Sequence, residues 1–388
     1  MFDEDGKSYI DGIASWYTCM YGHGHPAIRK AVQRQMETLD FVMFSGFTHP
    51  PAVELAEKLL KILPENQAKI FFNDNGSTAI EAAIKMALQY FHNKGDYRDI
   101  IIAFEDGFHG DTFGAMSASG LSSYNGPFEE FLLKVERIPV PNERNIASVL
   151  SQLESILTKN RCAAFVFEPL VQGAAGMKFH SASGLDVLIK KCKEHGVLCI
   201  ADEIMTGFGK TGRAFASDFL KNPPDIICLG KALTAGIFPL SITSCSQHVF
   251  DAFLSEQVNK GFFHAHTFSA HPIGCAAALA GLRLFNSEEI KMARYRIAEK
   301  HEQFAKKIQN HPMVGEVRCK GVILAVDFAV ESARYGNFRD ELYAFFMERG
   351  VNLRPLGNTV YTLPPFIISD DELQKIYDAI EEALNFVQ

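Results

Sequence analysis

The sequence predicts an α/β protein: a large domain on a mainly parallel, mixed sheet covered by helices, then a smaller α+β domain. Three observations predict it. From about residue 67 to residue 245, short apolar runs alternate with longer amphipathic ones. The short runs are rich in Ile, Val and Phe, the composition of strands buried on both faces. After about residue 285 the alternation stops, and a long charged helix with isolated strands replaces it. A chain of 388 residues has room for two or three such units around a large core.

Taken in order, residues 1–50 are expected to form an N-terminal segment packed with the smaller domain. The large domain is assigned to residues 51–285. Its strands are read at Ile70–Phe72, Ile100–Phe104, Ala163–Phe167, Val197–Ala201, Ile226–Leu229 and Leu240–Thr243. Between them, Ile80, Ala83, Ile84, Ala87 and Phe91 recur at helical spacing. A second helix runs from Leu185 to Glu194 and stops at His195-Gly196. Strand–helix–strand alternation implies parallel pairing with crossover helices. The smaller domain takes residues 286–388: a helix from about Glu288 to Gln309, strands at Gly321–Phe328 and Thr359–Leu363, and a last helix. That helix opens with Ser369 and Glu372 as a capping box and carries a Leu373, Ile376, Tyr377, Ile380 and Leu384 stripe.

Composition removes several function classes. The net charge is -8 and no basic tract is long enough to follow a nucleic-acid backbone, so nucleic acid is not an expected partner. No apolar run approaches the roughly 20 residues of a membrane helix, so no membrane role is expected. The start, Met1 to Lys7, is too polar for a secretory signal. The eight cysteines include no C-x-x-C pair and several lie in apolar runs, which reads as thiols in a reducing cytoplasm. His23-Gly24-His25 and His264-Ala265-His266 lack further ligands at metal spacing, so no metal is expected.

Two strand ends carry the chemistry. Val197–Ala201 runs into Asp202-Glu203, and ligands of open α/β sheets bind beyond the carboxyl ends of strands. Alone, Asp202 could be a loop acid or a helix cap. Ile226–Leu229 runs into Gly230-Lys231, 29 residues beyond Asp202. Alone, Lys231 could be solvated. It could equally be a Schiff-base amine, because burial depresses a lysine pKa and frees its lone pair. Pyridoxal phosphate (PLP) needs both groups: an amine for its aldehyde, and an acid that keeps its ring nitrogen protonated. Asn73 to Thr78 follows a strand and opens a helix, a place for a phosphate, although many helices simply begin this way. Asp106 to Thr112 follows another strand and offers Phe108 as a face for a flat ring, or as core packing.

The stretch Ile200-Ala201-Asp202-Glu203-Ile204-Met205-Thr206-Gly207-Phe208-Gly209-Lys210-Thr211-Gly212 resembles the signature of the class III aminotransferases, PLP enzymes of fold type I. The spacing to Gly230-Lys231 agrees, as do Asn75-Gly76-Ser77, Gly107-Phe108-His109-Gly110 and His266-Thr267-Phe268 with Pro272. The resemblance spans nearly the whole chain. It implies Lys231 as the Schiff-base and proton-shuttling lysine and Asp202 as the partner of the pyridinium. Ile204 and Phe108 are implied as the walls of the ring, with His109 beside it. Gly76 and Ser77 are implied at the phosphate, and Glu168 near the ring hydroxyl. Thr267 is implied to reach the phosphate of a second subunit, which makes the expected assembly a homodimer with shared active sites.

Three N-terminal stretches, Asp11 to Tyr17, Val42 to His49 and Gly110 to Ser117, resemble members that act on a long aliphatic keto acid with a terminal carboxylate. Leu353 to Asn358 and Tyr361 to Phe366 do so at the other end. Trp16 and Tyr17 would line its apolar tunnel, Arg354 would take the carboxylate, and Tyr361 would assist. The partners implied are thus a small-molecule amino donor and a keto-acid acceptor. Relatives of this kind usually carry several tens of residues before the equivalent of Gly6-Lys7. The chain departs from the pattern at Phe108 (usually Tyr), Tyr17 (the second of a Trp pair), Ala265-His266 (Gly-Pro) and Lys210 (often Arg). These departures leave the donor open between S-adenosylmethionine and lysine. The competing readings are an ω-aminotransferase for diamines, 4-aminobutyrate or ornithine, an aminomutase of the same fold, and a non-catalytic scaffold. The last is disfavoured by the presence of both Lys231 and Asp202.

Overall fold

Apolar runs buried on both faces assemble into a seven-stranded sheet in the structure, a computed structural model that describes residues 1–121, 125–334 and 336–386. The spatial order is Gln67–Asn73, Ser241–Ser246, Ile226–Leu229, Leu198–Asp202, Cys162–Phe167, Ile100–Phe104 and Val135–Ile138. Ser241–Ser246 runs antiparallel to both neighbours. The remaining pairs are parallel. Parallel pairing puts the carboxyl ends of five strands on one edge, and among them Phe104, Phe167, Asp202 and Leu229 end side by side. Whatever follows those residues shares one crevice.

The helix Gly76–Asn93 covers this sheet with Ala79, Ile80, Ala83, Ile84, Ala87 and Phe91, the stripe read from the spacing. Its start is fixed by Asn75, whose side chain accepts the Thr78 N–H at 3.1 Å. The helix Ala182–Glu194 is capped in the same way by Ser181, which accepts the Gly184 N–H at 3.1 Å.

Further along the chain, Val314–Lys320, Ile323–Phe328 and Thr359–Thr362 form a three-stranded antiparallel sheet. The helices Glu288–Ile308, Asn337–Glu348 and Asp370–Phe386 belong to the same stretch of chain. The last begins with the expected capping box: Glu372 accepts the Ser369 N–H at 2.9 Å, and Ser369 accepts the Glu372 N–H at 3.2 Å. The first residues are not loose. Ile10–Asp11 pairs in parallel with Val351–Asn352, and the Leu363 N–H donates to the Gly12 carbonyl at 2.9 Å.

Three strands differ from the pattern in the sequence, each for a physical reason. Val135–Ile138 is an edge strand interrupted by Glu136 and Arg137, so it lacks the apolar signature of its neighbours. Val314–Lys320 is only half-buried and alternates with charged residues. The strand expected at Leu240–Thr243 starts at Ser241 and continues to Ser246; its Ser, Thr and Cys side chains are all buried and read as polar. No helix among the described residues is long and apolar enough to cross a membrane.

Candidate active site

The shared strand edge gathers four titratable groups. Asp202 is buried and faces His109, with Nδ1 to Oδ2 at 2.7 Å. The other oxygen of Asp202 accepts the Ile204 N–H at 3.1 Å. Burial alone would lower the His109 pKa, but the hydrogen bond and charge of Asp202, with Glu168 adding, raise it above the ordinary value. The ring is therefore disposed to keep a proton on the Asp202 side. Its Nε2 is buried and finds no hydrogen-bond partner among the described residues. Glu168, at the end of its own strand, accepts the Phe108 N–H and the Gly173 N–H, each at 3.0 Å. Burial pushes its carboxyl up to about 7, against the pull of His109 and with the help of Asp202.

Lys231 begins a short turn, Lys231–Thr234, with a left-handed φ of 42°. A non-glycine residue in that region carries strain, and such strain gathers at sites where a side chain must be aimed. Burial lowers the Lys231 pKa, and the charges of Asp202 and Glu168 oppose that effect. Below ordinary lysine values, more of the amine carries a free lone pair near neutral pH.

Beside this cluster lies a helix start with polar donors. Ile204 is buried between two glycines: a Cβ on Gly76 would stand 3.0 Å from its Cγ2, and one on Gly230 would stand 3.4 Å away. The Ser77 hydroxyl and the Thr112 hydroxyl are 2.7 Å apart, and Ser77 also accepts the Thr112 N–H at 3.0 Å. Gly110, with φ of 130°, makes this approach possible, because a Cβ there would meet Ser77 Oγ at 2.4 Å. Phe108 remains 43% exposed, leaving a ring face open at the cluster. Thr267 is exposed and follows His266 in an irregular segment.

A third group of residues comes from the two ends of the chain. The Tyr17 hydroxyl donates to the Tyr361 hydroxyl at 2.9 Å, and the Lys231 Nζ lies 5.7 Å from the centre of the Tyr17 ring. Burial holds both phenols protonated, pushing Tyr361 up to about 12 and Tyr17 well above its ordinary value. The Arg354 guanidinium sits 4.5 Å from the centre of the Trp16 ring, a cation–π contact. Both line a cleft of about 510 Å³ with Ile13, Ser15, Asn352 and the helix residues Arg339 and Tyr343. Ala14, Ser15, Trp16 and Tyr17 all have positive φ, a conformation that costs L-residues roughly 1–2 kcal/mol each.

The structure thus brings together Lys231, Asp202, His109 and Glu168, then Gly76 with Ile204, and then Tyr17 with Tyr361 and Trp16 with Arg354. Thr267 stands apart on the surface. Two residues without an assigned role join the site. Thr112 shares the Ser77 hydroxyl, and its place in Gly110-Asp111-Thr112 was a usable signal. Lys210 is fully buried, its Nζ donating to the Gly207 carbonyl at 2.9 Å. Burial, with the charge of Lys231, lowers its pKa to about 7 against the pull of Glu203. A lysine after Gly-Phe-Gly gives no sign of burial, so only the fold reveals it.

The family model "Aminotransferase class-III" matches residues 1–384. The chain is 42% identical to the adenosylmethionine-8-amino-7-oxononanoate aminotransferase of Synechococcus elongatus, over 98% of this chain and 92% of that protein. It is 36% identical to the protein of the same name from Geobacter sulfurreducens, over 100% of this chain and 90% of the relative. Among solved structures, that of the adenosylmethionine-8-amino-7-oxononanoate aminotransferase from Methanocaldococcus jannaschii aligns with a TM-score of 0.92 at 32% identity, covering 99% of this chain and 90% of that one. An amine transaminase from an uncultivated Pseudomonas species, solved in its PLP-bound form, aligns with a TM-score of 0.91 at 30% identity, covering 99% and 92%.

Proposed function

Because the chain belongs to the class III aminotransferases, we propose that its strand-end crevice is the transamination site and that Lys231 and Asp202 carry the reaction. The protein is a PLP-dependent aminotransferase of the α/β, fold type I class. The residues present fit that cofactor: a buried amine of lowered pKa, a buried acid backed by histidine, two glycines around Ile204 and a hydroxyl-rich helix start. When bound, PLP supplies an aldehyde that captures amines and a protonated ring that withdraws electrons from them.

The chain's own groups then have distinct tasks. Lys231 holds the aldehyde when no substrate is present, and afterwards takes and returns a proton at Nζ. Asp202 holds the ring nitrogen in its protonated form, and His109 fixes the direction of the carboxylate from behind. Ile204 and Phe108 would flank the ring, and Glu168 would stand near its hydroxyl. Gly76 and Ser77 bind the phosphate at the start of Gly76–Asn93, where free N–H groups favour an anion. In this reading residues 51–285 form the cofactor-binding domain. Residues 286–388, with the segment 10–12 paired to them, shape the substrate end, while the helix Pro26–Thr38 packs on Pro272–Phe285 of the larger domain.

The acceptor in this reading is 8-amino-7-oxononanoate, converted to 7,8-diaminononanoate in biotin synthesis with S-adenosylmethionine as donor. The observation that carries it is the Trp16–Arg354 contact in the cleft, with the hydrogen-bonded Tyr17–Tyr361 pair beside Lys231. A long aliphatic acid offers apolar surface and one distal charge. A guanidinium over an indole, next to two protonated phenols, meets both needs.

The assembly in this reading is a homodimer in the cytoplasm. Phe41 packs on Phe268 at 5.2 Å between ring centres, and Phe47 and Phe263 are 61% and 73% exposed. The exposed Phe268, next to Thr267 and packed on Phe41, suits a second copy, whose phosphate Thr267 would reach. All eight cysteines are free thiols, which suits a reducing compartment. The function is tested by offering purified holoenzyme the keto acid with S-adenosylmethionine or lysine and following the diamine by mass. Conversion is the expected result. Enzyme that ignores this keto acid but transaminates 4-aminobutyrate or ornithine is an ω-aminotransferase instead.

A further inference from the structure

Trp16 reaches the cleft, and Tyr17 the Tyr361 hydroxyl, from a turn that the chain does not favour. Ala14, Ser15, Trp16 and Tyr17 have φ of 46°, 44°, 64° and 71°. None of them is Gly or Asn, the residues that visit this region readily. A run of four such residues persists only where its surroundings fix it in place.

The fixing group is Asp11. One oxygen of its carboxylate accepts the Ile13 N–H at 3.3 Å. The other accepts the Ser15 hydroxyl at 2.8 Å and faces His23 Nε2 at 2.9 Å. Ser15 Oγ and His23 Nε2 are themselves 3.4 Å apart, so the three side chains close a ring of contacts. Asp11 is buried, and its backbone is anchored by the parallel pairing with Asn352. Next to it, the Gly12 carbonyl accepts the Thr362 hydroxyl at 2.7 Å and the Leu363 N–H at 2.9 Å. One short segment is therefore tied to the strand before Arg354 and to the strand that holds Tyr361.

We propose that Asp11 is a positioning residue for acceptor recognition, holding the left-handed turn that sets Trp16 against Arg354 and Tyr17 between Lys231 and Tyr361. Asp11 is buried and does not line the cleft; it acts through the turn. Ser15 is the link, because its hydroxyl carries the carboxylate's hold into the middle of the strained residues. The kinetic consequence rests on the keto-acid reading above. The placement of Trp16 does not.

Trp16 is the single tryptophan of the chain, so tryptophan emission reports this turn alone. The experiment compares holoenzyme of the wild type, Asp11→Asn and Ser15→Ala. The quantities read are KM for the keto acid, with kcat as its control, the emission maximum, and quenching by acrylamide. Asp11→Asn is expected to raise KM by about tenfold or more while kcat changes less, the mark of lost binding and not lost chemistry. Its emission and quenching are expected to depart from the wild type, and Ser15→Ala is expected to move all three in the same direction by less. A folded Asp11→Asn enzyme with wild-type KM overturns the proposal. So does a raised KM with wild-type emission and quenching, which would place the effect elsewhere. Should Asp11→Asn not fold, the same readouts on Ser15→Ala decide. If the wild type does not use the keto acid, the acceptor reading fails by itself, and the Trp16 readouts still decide whether Asp11 holds the turn.

Discussion

At the sheet edge, each polar group of the site follows its own strand by a residue or two: Asp202 ends one, Glu168 and Lys231 follow two others. At the acceptor end the contacts join distant parts of the chain, Tyr17 with Tyr361 across 344 positions and Trp16 with Arg354. The first region is held by parallel pairing and is independent of what the substrate looks like. The second depends on a strained turn and on two strands outside the main sheet. The difference teaches where each property of the enzyme resides. In the proposed reading, chemistry belongs to the sheet edge, and selectivity belongs to the junction of the chain's two ends. Substitutions at the first should lower the turnover of every substrate, and substitutions at the second should sort one substrate from another.

The largest effect is expected at Lys231. Lys231→Ala should cut turnover by more than about a thousandfold with every amino donor, even where cofactor still binds through its phosphate. A visible absorbance band in the wild type, lost on borohydride reduction with mass added at Lys231, checks the same residue chemically. Near-normal rates in the variant would remove Lys231 from the reaction. Asp202→Asn should cost on the order of a hundredfold for donor and acceptor alike, since an amide cannot balance a ring cation and loses the charge that holds His109. If only the keto-acid half of the reaction slowed, the division between the two regions would be wrong.

At the other end, Arg354→Ala should raise KM for the keto acid by about tenfold to a hundredfold, the equivalent of one charged hydrogen-bond pair. The donor half of the reaction, followed in single turnover, should suffer less. Tyr361→Phe should be milder still. It removes the acceptor of one buried hydroxyl, a stability cost of about 0.5–1.5 kcal/mol, measurable by urea unfolding.

The last effect is on stability alone and concerns pH. Lys210 is lowered to about 7 in the folded protein, chiefly by burial, from an ordinary value of 10.5. Below pH 7 both folded and unfolded chains hold its proton, and the full burden of a buried ammonium is present. Between pH 7 and 10.5 the unfolded chain holds the proton and the folded one sheds it, so stability rises with pH there. Lys210→Met should flatten this rise. Urea unfolding at pH 6 and pH 9 measures it, and an equal slope in both proteins would assign Lys210 an ordinary pKa.

How much of this was legible in the sequence follows the same division. Asp202 and Lys231 were legible because an apolar strand ending in a charged residue is a local pattern, and parallel pairing makes its consequence predictable. Most strands and the helix Gly76–Asn93 were legible for the same reason. Val135–Ile138 was not, since an edge strand needs no apolar signature. Trp16, Tyr17, Arg354 and Tyr361 were reached through resemblance, and the turn that places two of them was invisible. Ala-Ser-Trp-Tyr contains no residue that favours positive φ, so the conformation is imposed by Asp11 and by strands some 340 residues away. The burial of Lys210 was hidden likewise, because it depends on a distant part of the chain: its carbonyl accepts the Val322 N–H at 2.9 Å.

The division is tested most directly by measuring kcat/KM for the keto acid and for its terminal carboxamide, with wild-type enzyme and with Arg354→Ala. Four values close a cycle that isolates the interaction between guanidinium and carboxylate from everything else either change does. The account predicts that the wild type prefers the acid by at least about tenfold, and that Arg354→Ala treats acid and amide nearly alike. An Arg354→Ala enzyme that keeps the full preference for the acid would contradict it, and would move carboxylate recognition away from the junction of the two chain ends.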